Sequence, residues 1–210
     1  MEKKVRRKRQ IMRNRTIILR SARELFHKKG FYATTMEDIA QYSGFDRRTI
    51  YNHFKNKDEI FAALIATVLS DISAIFDEVA LENISSLEKL RGIVFRLLDV
   101  YIDNAQLLTI FMSEYESSER KKKRYISTFM LRNIHAYKDI ESRMVEMITQ
   151  AQEDNLIIDV HPYILAGVLN ELVLRSVVVL HNNKKSIDKE SIIRDILKVL
   201  EGNVIKTSAG

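Results

Sequence analysis

The amino-acid sequence predicts an all-α fold, with a small N-terminal helical domain followed by a larger helical region. Apolar residues recur three and four positions apart along most of the chain, which is the period of amphipathic helices. No segment alternates apolar and polar residues as a half-buried strand does. The 210 residues include one Pro and six Gly, so few positions interrupt a helix. We therefore expect helices joined by short turns.

The composition is that of a folded, soluble protein, with 46% hydrophobic and 30% charged residues. The chain is long enough for one or two domains with real cores. It has no Cys, which excludes a disulfide framework and a thiolate metal site. A charged N-terminus without an apolar segment behind it is not a signal peptide, so we expect a cytoplasmic protein.

The charge is distributed unevenly along the chain. Residues 1–60 contain sixteen Lys and Arg against seven Asp and Glu, a balance of +9, whereas the remainder balances at −3. A basic end suggests contact with nucleic acid, and a mildly acidic end suggests a different task.

The stretch from residue 34 to residue 60 carries the clearest local signals. Thr35 is placed to cap a short helix that Gly44 ends, and Asp46 is placed to cap a second one. Asn56 then caps a third helix. Two short helices joined by a Gly-containing turn form the helix-turn-helix pattern, whose second helix enters the DNA major groove.

Three cations stand at the beginnings of these helices. Arg47 and Arg48 open the second helix and Lys57 opens the third, although a cation at a helix N-terminus costs roughly 0.3–1 kcal/mol. They are either solvated surface charges or residues that meet a polyanion. Their grouping in one helix-turn-helix pattern favours the polyanion.

This stretch resembles the DNA-binding end of the TetR family of bacterial transcriptional regulators over roughly residues 16–65. The matching residues are Gly30-Phe31-Tyr32, Thr34-Thr35, Asp38-Ile39-Ala40, Gly44-Phe45, Thr49-Ile50-Tyr51, His53-Phe54 and Lys55-Asn56-Lys57. Beyond it the resemblance rests on length and helix layout alone.

The resemblance implies DNA contacts from the second helix and its surroundings. Base contacts fall on Arg47, Arg48 and Thr49, since Arg can bind guanine bidentately and a Thr methyl can touch thymine. Tyr51 and His53 fall at contact positions used mainly for phosphate, although Tyr51 could instead be a core residue. The remaining predicted phosphate contacts are Thr35 and Lys57.

The first helix is predicted over residues 16–29, where Gly30 stops it. The preceding residues 1–15 hold eight cations and one acid, so we expect them to be disordered or frayed when alone. They form either an arm that lies along phosphates or in the minor groove, or a solubilising tail. We predict three parts: a basic arm 1–15, a DNA-binding domain 16–60 and an effector-binding and dimerisation domain 61–210.

The second half is predicted to be helical over residues 58–81, 85–103, 105–114, 120–153, 161–182 and 187–205. Residues 162–180 are almost continuously apolar, but Asn170, Glu171 and Arg175 interrupt the middle, so we expect a buried helix and no membrane span. The resemblance implies that residues 161–205 form a homodimer interface of four helices.

A ligand cavity is expected among the middle helices, where aromatic and Met side chains suit a small lipophilic effector of unidentified structure. Plain core packing is the alternative for each candidate. The candidates are Tyr101, Phe111, Met112, Tyr115, Phe129, Met130, Tyr137, Met144 and Asn170.

No catalytic constellation, metal-ligand spacing or cofactor motif occurs in the sequence, so we expect neither an enzyme nor a cofactor. We predict a dimeric repressor of the bacterial cytoplasm, near the nucleoid, that binds double-stranded DNA at a near-palindromic operator. The helix beginning at Asp58 would couple effector to DNA. One alternative is an architectural or nucleoid-associated DNA-binding protein of the same fold that acts with a protein partner. Another is an RNA-binding or membrane-surface protein that uses the basic arm alone.

Overall fold

The computed structural model describes residues 2–110, 123–183 and 188–205, without the side chains of residues 123–132 and 203. Residues 105–110 are helical, and the described part contains one isolated bridge, between Ile157 and Ile205, and no strand. The all-α prediction is confirmed. The other helices are α1 (Glu2–Lys29), α2 (Met36–Ser43), α3 (Arg47–His53), α4 (Lys57–Ala80), α5 (Ser86–Asp103), α6 (Lys123–Glu153), α7 (Pro162–Asn182) and α8 (Lys189–Asn203).

The described chain divides into two compact units. The first contains residues 2–67 and 123–133, and the second contains residues 68–110, 134–183 and 188–205. The division of the chain at residues 15 and 60 into arm, DNA-binding domain and effector domain stays a prediction.

Helix α1 begins at Glu2, so the expectation that residues 1–15 are disordered or frayed is wrong for residues 2–15. This segment continues a helix that is already nucleated by its buried part, and extending a helix avoids the cost of nucleation. Its side chains also bond along the helix, because Gln10 Nε2 donates to Asn14 Oδ1 at 2.8 Å.

The ends of the short helices follow the local signals. The Thr35 hydroxyl accepts from the Asp38 amide and the Asp38 carboxylate accepts from the Thr35 amide, which is a complete capping box. Gly44 ends α2 at φ 71° and Gly30 ends α1 at φ 83°, a region that L-side chains rarely occupy. Asn56 Oδ1 accepts from the Glu59 amide at the start of α4.

The core of the first unit lies between α1, α2, α3 and the start of α4. The rings of Phe26, Phe31 and Phe61 pack together with centroids 5.1 to 6.4 Å apart. Further buried residues of this core are Ile18, Ala22, Leu25, Ile39, Ile50 and Phe54. This core fixes α3 with its opposite side facing solvent.

In the second unit, α5 packs against α7 and α7 packs against α8. Ser85 caps α5 with a capping box to Glu88, Asn155 follows α6 at φ 60°, and Pro162 opens α7 at a position where its missing N–H costs nothing. These boundaries agree with the predicted ones to within a few residues over the described chain.

Helices α4 and α7 are long and apolar enough to cross a membrane by length and composition. Buried core helices of soluble proteins pass the same test, and Ile60, Ile72 and Phe76 of α4 and Leu169, Val173 and Val177 of α7 are buried within the fold.

Candidate nucleic-acid interface

Helix α3 is held at its N-terminus by Asp46. The carboxylate accepts from the Thr49 amide at 2.7 Å and from the Thr49 hydroxyl at 3.1 Å. The amide bond of Thr49 is the main reason that the pKa of Asp46 lies below its ordinary value. Ile50 is buried on the inner face of the helix. This capping fixes which residues of α3 face solvent.

Arg47 and Arg48, the first two residues of α3, are exposed. Arg47 Nε lies 2.8 Å from Glu37 Oε1 on α2, and its guanidinium lies 5.6 Å from the centre of the Tyr51 ring. An exposed ion pair contributes only about 0–1 kcal/mol, so a phosphate or a guanine edge can replace Glu37. Two guanidinium groups are thus presented at one helix terminus.

The other residues of α3 that were predicted to contact DNA differ in their surroundings. Tyr51 is 41% exposed, so its alternative assignment as a core residue is wrong. The Thr49 hydroxyl already donates to Asp46, which leaves its methyl group for thymine. Burial, and secondarily the charge of Arg15, lowers the pKa of His53, which favours its neutral imidazole.

The ammonium group of Lys57 is bonded to backbone carbonyls of its own domain. Its Nζ donates to the carbonyl oxygens of Phe31 at 2.5 Å, Thr34 at 2.8 Å and Tyr32 at 3.2 Å. Burial lowers the pKa of Lys57. Because an ammonium has three donors, these carbonyls use all of them. In this structure the side chain therefore ties the turn between α1 and α2 to α4, and its predicted phosphate contact stays a prediction.

Two residues of the same region were not predicted as site residues. The Arg15 guanidinium lies 4.3 Å from the centre of the Phe54 ring, directly after α3. Tyr42 at the end of α2 donates to Glu24 and accepts from Lys28 at 2.8 Å, which joins α2 to α1. If α1 had been predicted to extend before Thr16, Arg15 would have been a helical residue, and its position near α3 could have been inferred.

The predicted effector residues of the second unit are only partly brought together. The Tyr101 hydroxyl donates to Asn170 Oδ1 at 2.8 Å, and burial raises the pKa of Tyr101. Met144 is buried, whereas Tyr137 is 47% exposed. The remaining candidates lie outside the described residues or have undescribed side chains, and they are Phe111, Met112, Tyr115, Phe129 and Met130.

A groove of about 330 Å³ opens between the end of α4, the start of α5 and α6. Its lining includes Lys89, Arg143, Glu146 and Gln150, and none of the predicted effector residues. Arg143 is held there by Asp77 at 2.5 Å. Among the described residues no group of three His, Asp or Glu side chains is arranged to hold a metal ion.

Helix α7 presents an exposed apolar strip. Ile164, Val168 and Val179 lie along one side of the helix and are 44–61% exposed. Glu171 and Arg175 lie four residues apart on the exposed side of the same helix and pair at 3.3 Å. An apolar strip with a central charged pair is the kind of surface that a protein partner covers.

A family model described as bacterial regulatory proteins, tetR family, matches residues 18–64. These residues include α2, α3 and the capped turns described above. The resemblance to the TetR family is thereby confirmed in the region where the sequence carries it.

Relatives and solved structures extend the similarity. The helix-turn-helix-type transcriptional regulator YhgD of Bacillus subtilis is 28% identical over 123 residues, 53% of this chain and 64% of YhgD. The helix-turn-helix-type transcriptional repressor KstR2 of Mycobacterium tuberculosis is 26% identical over 105 residues, 50% of this chain and 52% of KstR2. The alignments thus span between half and two thirds of these curated relatives.

Two solved structures share most of the fold. KstR2, a ketosteroid transcriptional regulator, superposes with a TM-score of 0.69 at 19% identity, covering 92% of this chain and 95% of that one. FadR of Bacillus subtilis, solved in complex with stearoyl-CoA, gives a TM-score of 0.71 at 16% identity, covering 88% and 96%. The predicted architecture, a helix-turn-helix domain followed by a helical domain, is confirmed.

Proposed function

We propose that this chain, whose residues 18–64 match the DNA-binding domain of the TetR family, is a cytoplasmic transcriptional regulator of bacterial type. It represses by binding a near-palindromic operator as a homodimer, and a small lipophilic effector releases it. Its relatives are transcriptional regulators and not enzymes, which agrees with the absence of a catalytic motif in the sequence. They do not favour the architectural alternative.

One observation carries the DNA-binding part of the proposal. Arg47 and Arg48 project from the first turn of α3, whose inner side is fixed by the buried Ile50. Each arginine is a cation in the first turn of a helix, where the macrodipole makes a positive charge cost about 0.3–1 kcal/mol. The phosphates and the major-groove base edges of duplex DNA offer hydrogen-bond acceptors that remove this cost.

The experiment is in vitro selection from random duplexes of about 40 bp, long enough for two half-sites separated by one or more helical turns. We expect the recovered sequences to share an inverted repeat, because two recognition helices of a symmetric dimer read the same half-site. Recovery of no common sequence would contradict the proposal.

Substitutions then test whether α3 makes the base contacts. Arg48→Ala should reduce the preference for the recovered duplex over random duplex by about tenfold or more, since a bidentate Arg–guanine contact contributes about 1–3 kcal/mol of discrimination. Arg20→Ala is the matched control, because Arg20 is also exposed and lies on α1. An equal reduction of preference in the two variants would contradict the assignment.

The apolar strip of α7 supports the homodimer part of the proposal. A second copy of the same strip is a self-complementary partner under two-fold symmetry. Glu171 and Arg175 could then pair across the axis as well as within one helix. Helices of both copies would together form the four-helix interface expected of residues 161–205.

The effector part rests on the interior of the second unit. Tyr101 and Asn170 offer a polar pair among apolar side chains, which is how a mostly apolar site orients its ligand. KstR2 and FadR have names or bound molecules that point to steroids and acyl chains. A thermal-shift screen of long-chain acyl-CoA and sterol compounds tests this part, and Tyr101→Phe should weaken any binder found. A panel without stabilising compounds would contradict it.

A further inference from the structure

We propose that the N-terminal extension of α1, residues 2–15, lies against the phosphates of duplex DNA through one face only. That face consists of Lys4, Lys8 and Arg15, and the opposite face with Arg6 and Arg13 stays in solvent. The inference rests on the proposed function, because it takes α3 as the DNA-reading helix.

The extension is a projecting part of a continuous helix. Every residue from 2 to 13 is exposed, and Ile18 is the first buried residue of α1. No turn separates the extension from the buried part, so the core fixes its direction. At 1.5 Å per residue it reaches about 20 Å beyond the domain, the distance that separates several phosphates of a duplex.

Arg15 fixes which side of the extension adjoins α3. Its guanidinium stacks on Phe54, the residue that directly follows α3. A helix turns by about 100° per residue, so Lys8 and Lys4 lie within about 20° of Arg15 around the axis. Arg6 and Arg13 lie about 160–180° away by the same geometry. The extension therefore carries Lys4 and Lys8 in line with Arg15, as a cationic stripe, on the side of α3, and Arg6 and Arg13 on the far side. Its other cations, Lys3, Arg7 and Arg9, lie about 80–120° to either side of that line.

The charges of the extension indicate the chemistry of its partner. It carries eight cations and Glu2 alone as an acid. Cations in a first helical turn oppose the dipole, and Lys4 and Lys8 repel each other at a spacing of four residues. A regularly charged polyanion removes both costs. The apolar residues of the extension are only Val5, Ile11 and Met12, too few for the broad apolar face of a membrane-surface helix.

The experiment compares two double variants of the full chain that remove equal charge. Lys4→Ala with Lys8→Ala removes the proposed stripe, and Arg6→Ala with Arg13→Ala removes two charges from the far face. Affinity is measured against salt concentration, both for the duplex recovered by selection and for random duplex of about 40 bp. All four positions are exposed, so circular dichroism should show folded protein in each case.

We expect the first variant to lower the log–log salt slope by about 0.9 for each phosphate that the stripe no longer neutralises. Its affinity near 0.1 M salt should fall by on the order of tenfold for each such phosphate, by the same relation. The far-face variant should change the slope little. Hydroxyl-radical footprints should also lack their outermost protected backbone positions in the first variant alone.

Equal slopes in both variants and the parent chain would overturn the inference, and so would equal reductions in both. A second result would also overturn the inference: only the first variant binds less to vesicles of phosphatidylserine and phosphatidylcholine, and its salt slope for DNA is unchanged. The stripe would then be a membrane contact. Failure of the proposed function has a different signature: no duplex is selected and Arg48→Ala changes no preference. The random-duplex slopes decide on the extension in either case.

Discussion

Helices α3 and α7 both leave a face exposed, but the chemistry of the two faces is opposite. The face of α3 presents Arg47, Arg48 and Tyr51, whereas that of α7 presents Ile164 and Val168 among other apolar side chains. A cationic face gains by exchanging water and counterions for phosphate. An apolar face gains by leaving water altogether. One fold therefore presents two surfaces, and each suits a partner that is recognised by a different physical effect.

One polar contact in each unit shows a related difference, which is its exposure to solvent. In the first unit the ion pair of Arg47 with Glu37 is open to solvent, so DNA can exchange for it at little cost. In the second unit the hydrogen bond of Tyr101 to Asn170 is partly buried, and Tyr101 itself is buried, so breaking the bond removes the partner of a buried hydroxyl. Surface pairs are suited to exchange, and buried pairs are suited to holding two packed helices in one arrangement.

The largest expected effect is on the face of α7. Val168→Glu places a carboxylate in the proposed dimer interface, where an unpaired buried charge costs about 3–5 kcal/mol. The dissociation constant of the dimer should rise at least about a hundredfold. Sedimentation equilibrium over a range of protein concentrations measures it.

Val5→Glu is the matched control for that variant. Val5 on α1 is 48% exposed and Val168 is 54% exposed, so exposure alone cannot separate their effects. We expect Val5→Glu to leave the association state unchanged. If the parent chain is monomeric, or if both variants form dimers of equal strength, the proposed dimer interface on α7 is contradicted.

The next effect concerns Lys57. Lys57→Ala removes the donors for the carbonyls of Phe31, Tyr32 and Thr34, and hydrogen bonds to charged groups contribute about 1.5–3 kcal/mol. Since the side chain is only partly buried, we expect the free energy of unfolding to fall by about 2 kcal/mol in total. Urea denaturation measures it.

Lys55→Ala is the control, because Lys55 is exposed two residues earlier and its removal should change stability by less than about 0.5 kcal/mol. If Lys57 acts on the fold, the salt slope of DNA binding stays the same in Lys57→Ala. Unchanged stability with a slope reduced by about 0.9 would restore the phosphate-clamp role instead.

The sequence was sufficient wherever the physical cause is local. Thr35 and Asp46 cap helices by bonds to residues three positions on, and Gly44 ends α2 by its own conformation. The buried positions of α1 and α3 follow from helical period alone. Such features need no knowledge of the tertiary fold.

The sequence was insufficient where a side chain meets a partner far along the chain. The carbonyls bound by Lys57 lie 23–26 residues before it, and Arg15 on α1 meets Phe54, which follows α3. Charge repulsion predicted disorder for residues 2–15, but continuation of a nucleated helix outweighs it. The partners of Tyr101 likewise depend on how α5 packs against α7.

The smallest expected effect concerns Arg47 on α3, which would exchange Glu37 for DNA. Glu37→Gln removes the carboxylate that holds Arg47 at 2.8 Å and leaves the guanidinium free to meet DNA. Because an exposed ion pair contributes about 0–1 kcal/mol, the affinity for the recovered duplex should rise by about two- to fivefold. Fluorescence anisotropy at low salt measures the change.

Glu190→Gln is the control, because it removes one acidic charge from an exposed position at the start of α8 in the other unit. If net charge alone governed affinity, the two variants would bind alike. If Glu37 instead orients Arg47 for its base, Glu37→Gln would bind the recovered duplex more weakly and random duplex no worse. A stronger complex in Glu37→Gln alone means that the ion pair competes with DNA, as an exchangeable surface contact must.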